Sequence, residues 1–270
     1  GRSGDQLSAK VLVRRLSEFM PLNGMPAPVA TNPIERGLGD LWLRTTAGMP
    51  EQARPQFRRA VEKMVDSWLW ELSNQRLNRI PDPVDYVEMR RRTFGSDLTM
   101  SLSRLTHAKD IPAEVFDTRT MRAIENSAAD WACLLNDLFS YQKEIEFEGE
   151  VHNCVLVVEN FLNSTRSEAV AVVNALMEAR LDQFEHVVAT ELPVMFEKYD
   201  LPDRARRALY TYVEELRDWM VAILNWHRKT RRYGEADLRP TVAPAFALPS
   251  GVGTSFARLI PGGLLEAAQR

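Results

Sequence analysis

Asn136-Asp137-Leu138-Phe139-Ser140-Tyr141-Gln142-Lys143-Glu144 lies inside a long stretch of helical pattern and decides how the whole chain is read. Asn136, Ser140 and Glu144 stand at i, i+4 and i+8. At about 100° per residue they stay within roughly 80° of arc, so their side-chain oxygens line one face of one helix. An amide carbonyl, a hydroxyl and a carboxylate are hard oxygen donors, the ligand type that Mg²⁺ prefers.

The flanking residues separate a binding site from a wet surface. Small uncharged Ala129, Ala132 and Cys133 share the arc one or two turns upstream. Trp131, Leu134, Leu138, Tyr141 and Ile145 occupy the opposite arc. A helix with small or apolar groups on both sides is normally buried. Polar oxygens buried there need a partner or a metal, because an unsatisfied buried group is costly. Spacing alone favours a solvated face; the flanking residues reverse that reading.

Working outward, the 270 residues are 45% hydrophobic and 26% charged, an ordinary globular composition. A net charge of −3 argues against broad nucleic-acid or anionic-membrane binding. Cys133 and Cys154 lack metal-type spacing and read as buried free thiols of a reducing, cytoplasmic protein. No run of 18 apolar residues and no signal-peptide pattern is present, so neither a membrane span nor export is expected. The chain begins at Gly1 without a methionine, as a fragment or processed chain would.

Helical periodicity dominates and no strand alternation is evident, so the fold class is all-α. Helices are expected over about 6–19, 33–43, 51–78 and from Pro83, with Asp82 as N-cap and a distortion near Gly95. One long helix over about 118–147 carries the central motif, and Gly149 ends it. Further helices follow over about 152–162, over 167–199 as one helix or two with a kink at Pro193, and over 202–232. Residues 240–270 hold Pro240, Pro244, Pro249, Pro261 and four glycines without periodicity, and read as a disordered tail. The expected organisation is one all-α domain over 1–239 followed by that tail.

Two basic clusters make sense beside oxygen-held magnesium. Arg90-Arg91-Arg92 fan out from one helix, and Arg231-Arg232-Tyr233 closes the last one. The arginine fork matches phosphate oxygens and a tyrosine hydroxyl adds a donor. Each cluster taken alone is more simply a solvated basic face, helped at Arg232 by the helix dipole. Lys143 lies on the arc of Asn136 and Ser140, where it could neutralise an anion or simply serve as a surface ion-pair partner. Among the aromatics, Phe139 and Trp226 are candidates to line an apolar cavity, although helix-spaced aromatics are usually core.

The pattern Asn-Asp-x-x-Ser-x-x-Lys-Glu resembles the second metal-binding motif of class I terpene synthases, bacterial ones in particular. That family carries a diphosphate-sensing arginine about 46 residues before the motif's Asn, which corresponds to Arg90, and an Arg-Tyr pair late in the last helix, which corresponds to Arg232-Tyr233. The stretches Ser67 to Gln75, Ile80 to Leu102 and Leu134 to Val158 are similar to the bifunctional germacradienol/geosmin synthases, whose two synthase domains stand in tandem. The run RRRTFGSDLTMS resembles their C-terminal domain more than the N-terminal one.

The resemblance implies an α-helical terpenoid-synthase bundle in which Asn136, Ser140 and Glu144 bind one of three Mg²⁺ ions. Arg90, Lys143, Arg232 and Tyr233 would hold diphosphate, with Arg91 as the alternative sensor. It implies conversion of germacradienol to geosmin with loss of acetone, by protonation, retro-Prins fragmentation and a second protonation with water capture. The alternatives are a cyclase that ionises farnesyl diphosphate and a non-catalytic helical partner domain. Glu71, His107 and His227 are the available proton donors, and none is assigned. One departure matters: the family's aspartate-rich motif is absent, since no Asp-Asp pair occurs in the chain. Gly1 to Asp5 resembles the segment just after that motif, so the expectation is a bundle missing its first helices, inactive by itself, with a tandem synthase domain upstream.

Overall fold

The computed structural model describes residues 2–22 and 24–234, and among them there is no strand. The expected tail over 240–270 lies outside the described residues. None of the described helices is long and apolar enough to cross a membrane. The described chain divides into two compact units, one of residues up to Leu77 with Arg92–Leu105, the other of Asn78–Arg91 with the residues from Thr106 onward.

In the first unit, α1 (Arg2–Glu18) packs on α3 (Arg54–Leu77). Leu12, Val13, Leu16 and Met20 meet Phe57, Val61 and Val65, with Trp42 of α2 (Pro33–Thr46) completing the cluster. Trp42 stacks on Phe57 at 5.7 Å, an aromatic pair worth about 0.5–1.5 kcal/mol beyond its burial. α2 starts where Asn32 caps the Glu35 amide and Pro33, which needs no N–H partner there, takes the first turn. Glu35 is buried and accepts from Arg15 Nε, Thr31 N and Thr31 Oγ1. Burial alone would raise its pKa, but these donors overcome that and hold it down at about 2.

The distortion expected near Gly95 is a full break. α4 (Pro83–Thr93) stops, Gly95 takes φ +82°, and α5 (Ser96–Thr106) begins as a helix that periodicity alone did not separate. Only glycine adopts that backbone without strain, and a Cβ there would sit 2.9 Å from Met64 Sδ. Asp82 caps α4 as expected, accepting from Val84 N at 2.9 Å.

The second unit is built on α6 (Arg119–Tyr141), which packs against α8 (Arg166–His186) and α10 (Asp203–Lys229); α7 (Cys154–Leu162) also lies on α8. Small buried residues, Ala128, Ala129, Ala132 and Cys133, let neighbouring backbones approach α6. Thr118 caps α6, and a reciprocal Thr165–Glu168 capping box starts α8. Cys133 and Cys154 are buried free thiols.

Two long helices expected to be regular or kinked are interrupted by π-helical turns. The helix expected over 118–147 is α-helical to Tyr141 and then widens into a π turn over Gln142–Phe147, before Gly149 at φ +66° ends it. The helix expected over 167–199 ends at His186, passes a π turn over Val187–Glu191 and resumes as α9 (Leu192–Lys198) with Pro193 in its first turn. Proline lacks an N–H and clashes with the preceding turn, so the wider turn takes up the misfit just upstream.

Candidate metal and diphosphate site

The site lies wholly in the second unit, on α4, α6 with its π turn, the N-terminus of α7 and the end of α10. Its centre is a residue that sequence reasoning left without a role. Asp137, fully buried, accepts from Tyr86 Oη at 2.6 Å, from Arg90 Nε at 3.1 Å and Nη2 at 2.8 Å, and from the Cys154 amide at 2.9 Å. Tyr86 and Arg90 stand four apart on α4, so a single helix face grips one carboxylate. Burial and the Asp137 charge raise the Tyr86 pKa well above its ordinary value, so the phenol keeps its proton. Burial works against the Arg90 charge, but Asp137 outweighs it, and the guanidinium pKa is raised further.

Arg90 then reaches the first motif residue: its Nη2 donates to Asn136 Oδ1 at 2.8 Å. The other end of the same amide donates to Tyr233 Oη and bonds His227 Nε2, each at 3.0 Å. Three segments separated by 46 and 97 residues along the chain thus meet at Asn136. Around it the rings pack together: Tyr233 stacks parallel to His227 at 5.5 Å, and Phe139 tilts against His227 at 5.2 Å. Trp226 meets Tyr233 edge-on at 6.1 Å but is 51% exposed. The Arg232 guanidinium lies over the Tyr233 ring. Burial raises the Tyr233 pKa and lowers that of His227, keeping both rings neutral.

Ser140 and Glu144 are joined by Asn153, which sequence reasoning also passed over. Asn153 caps α7 through its Oδ1, which accepts from Val155 N at 3.0 Å. That fixes its Nδ2 toward α6, where it meets Asp137 O at 2.8 Å, Glu144 Oε2 at 3.1 Å and Ser140 Oγ at 3.5 Å. An Asn just before the apolar run 154–162 is a readable cap signal; that its amide also serves the motif is not.

The π turn changes the register of the motif's end. Lys143 is buried and donates to Glu148, five residues on, where a regular helix would pair i with i+4. The alternative reading of Lys143 as a surface i, i+4 partner is therefore replaced by an inward pair with Glu148. Arg91, the alternative sensor, is committed elsewhere: it forks onto buried Asp130, which also meets Arg180. Of the three proton-donor candidates, His107 pairs with Glu215 and His227 with Asn136, while Glu71 is buried in the first unit.

The donors fit a hard divalent cation. Ser140 and Glu144 are buried, Asn136 is partly buried, and all three offer oxygen. Burial, with Asp137 and Glu150 nearby, pushes the Glu144 carboxyl up to about 8 against the opposing Arg90 charge and Asn153 hydrogen bond. A carboxyl that burial keeps protonated is what a bound cation would return to its ionised form. The set contains one carboxylate, and among the described residues there is no cluster of three His, Cys, Asp or Glu placed to hold a metal.

The profile of terpene synthase family 2, C-terminal metal binding, matches residues 1–183. This chain belongs to that family. It is 27% identical to pristinol synthase of Streptomyces pristinaespiralis over 84% of this chain and 61% of that protein. It is 30% identical to pentalenene synthase of Streptomyces avermitilis over 77% of this chain and 62% of that protein. The chain thus spans 61–62% of the length of these curated relatives. Germacradien-4-ol synthase from Streptomyces citricolor matches with a TM-score of 0.70 at 25% identity, over 83% of this chain and 71% of that one. The all-helical fold is that of the class I terpene synthases.

Proposed function

We propose that residues 1–239 act as a terpene synthase domain in which Asn136, Ser140 and Glu144 hold Mg²⁺ while Arg90, Lys143, Arg232 and Tyr233 hold diphosphate. The observation that carries this reading is the meeting of Arg90, Tyr233 and the motif at one partly buried amide, Asn136. Nothing about a structural helix requires an arginine, a tyrosine and a histidine from two other helical segments to converge there.

When bound, Mg²⁺ supplies the positive charge that neutralises diphosphate oxygens. The chain's own residues do the rest. Asp137 and Tyr86 lock α4 onto α6, so that Arg90 presents its fork beside Asn136 in a fixed orientation. Asn153 holds the Glu144 carboxyl toward the Ser140 hydroxyl. Phe139, Tyr233 and Trp226 present ring faces and edges that can stabilise carbocations.

The substrate we propose is germacradienol, converted with one water to geosmin and acetone. The support is the likeness of Ser67 to Gln75, Ile80 to Leu102 and Leu134 to Val158 to the bifunctional germacradienol/geosmin synthases, which points to a tandem synthase domain in the same protein, and of the run RRRTFGSDLTMS to their geosmin-forming C-terminal domain. That chemistry ionises no diphosphate, so the retained diphosphate residues would close the site around Mg²⁺–diphosphate. A specific observation favours the second reading, direct cyclisation of farnesyl diphosphate: every diphosphate residue of the motif set is kept, and the relatives include pentalenene synthase. Incubating the protein with germacradienol or farnesyl diphosphate and Mg²⁺, with volatile products identified, separates the two. Geosmin from germacradienol supports the first reading; a sesquiterpene from farnesyl diphosphate, with germacradienol untouched, replaces it with the second.

A further inference from the structure

Asn136 has two chemically different ends, and only its oxygen can serve a cation or accept from Arg90. Something must set which end faces which way. On one side, the Arg90 guanidinium has donors alone and demands the oxygen. On the other, the amide nitrogen faces two acceptors, Tyr233 Oη and His227 Nε2, each at 3.0 Å.

These two are not equivalent. The tyrosine hydroxyl rotates and serves as donor or acceptor, so it would accept a flipped amide without penalty. The histidine has no such freedom. Its Nδ1 lies 2.8 Å from the Ile223 carbonyl oxygen, which only accepts, so Nδ1 carries the proton and Nε2 is left as an acceptor. His227 is buried and clamped between Tyr233, stacked parallel at 5.5 Å, Phe139 at 5.2 Å and Trp226 at 4.9 Å, so the ring cannot turn over to offer its other nitrogen.

We infer that His227 is a positioning residue: through Ile223 O···H–Nδ1 and Nε2···H–Nδ2 of Asn136 it fixes the amide with its oxygen toward Arg90 and the cation. This goes beyond the proposed metal reading and rests on it. The role differs from that of a proton donor, since the ring gives nothing to substrate. It also explains why Trp226-His227 precedes Arg232-Tyr233 by six residues: the rings meet across the helix end and present two acceptors to one nitrogen.

The test is binding of Mn²⁺ with inorganic pyrophosphate to the 270-residue chain, followed by electron paramagnetic resonance, with circular dichroism to check helicity. His227→Phe keeps a flat ring and removes the acceptor; His227→Gln puts an amide oxygen near the Nε2 position. His227→Phe should weaken Mn²⁺ binding about 10- to 100-fold, the usual cost of losing a group that orients a ligand, at unchanged helicity. His227→Gln should recover to within about threefold of wild type, because an acceptor is restored. In spectra of the metal-free chain with ¹⁵N-labelled asparagine, one Asn136 Nδ2 proton should move downfield through its bond to the imidazole and return upfield in His227→Phe. Binding by His227→Phe equal to wild type, with Asn136→Ala impaired, overturns the positioning role alone. His227→Gln as weak as His227→Phe overturns the acceptor role and leaves packing. Binding that is indifferent to Asn136→Ala, or absent from wild type, overturns the metal reading itself.

Discussion

Replacing Asp137 by Asn changes one oxygen to nitrogen at a fully buried position, and the structure sets what that costs. Four donor bonds converge on the carboxylate, from Tyr86 Oη, Arg90 Nε, Arg90 Nη2 and Cys154 N. Asparagine turns its NH₂ either toward Arg90, which only donates, or toward the side where the Tyr86 hydroxyl can rotate to accept but the Cys154 amide cannot, and in both cases Arg90 loses its buried counter-charge. Removing one partner of a buried pair typically costs about 3–5 kcal/mol. Arg90 retains Asn136 Oδ1 at 2.8 Å, which places the expectation near the low end, about 3 kcal/mol. For a chain of this size that corresponds to a fall in Tm of roughly 6–12 °C, read by calorimetry or by circular dichroism in urea. The pair Asp137→Leu with Arg90→Met should recover at least half of the loss in stability, since an apolar replacement of both partners leaves no orphaned charge. A fall of less than about 2 °C for Asp137→Asn, with native helicity, would refute the account of Asp137 as the clamp between α4 and α6.

Other consequences follow from single contacts. Glu35 is held at about 2, below its unfolded value, so its stabilisation is full above pH 4.5 and is lost as pH falls toward 2. The amount is about 2 kcal/mol after allowing for the half-open Arg15 partner. Urea midpoints of wild type and Glu35→Gln should therefore differ at pH 6 and converge near pH 2; a constant difference contradicts the ion-pair origin. Gly95→Ala should destabilise by about 1–2 kcal/mol, because φ +82° disfavours any side chain and Met64 Sδ must move; a neutral substitution rules out that strain. Glu148→Gln releases Lys143 from its partner. Pyrophosphate affinity, measured calorimetrically with Mg²⁺, should rise about fivefold, the equivalent of about 1 kcal/mol; a fall in affinity argues against Lys143 as a diphosphate ligand.

Much of this was legible in the sequence, for identifiable reasons. The helices with strong caps, Asn32–Pro33 and Asp82–Pro83, begin where their chemistry says they should. Buried Ser140 and Glu144 follow from a helix with small and apolar residues on both sides of the oxygen line. The π turns were not legible, because periodicity assumes one pitch and a single inserted residue leaves no compositional trace. That blind spot hid the inward pairing of Lys143 with Glu148, which neither the diphosphate role nor the surface pairing had foreseen. Asp137 and Asn153 were missed because their partners come from distant segments. Asp137 looks like an ordinary helical acid until Tyr86 and Arg90 arrive from α4, and Asn153 looks like a cap until its amide meets Glu144. The spacing of about 46 residues before Asn136 singled out Arg90 over Arg91 only through the family resemblance; in the fold, the turn of α4 sends Arg91 to Asp130 and Arg90 to Asn136.

The central claim is that the Asn136–Glu144 line is the metal-holding face of a terpene synthase. Its most direct test is turnover by the protein with Mg²⁺ and germacradienol or farnesyl diphosphate, volatile products being resolved by mass spectrometry. Wild type should release a terpenoid product, and Asn136→Ala and Glu144→Ala should each abolish it while leaving helicity intact. Undiminished product from either variant would contradict the assignment.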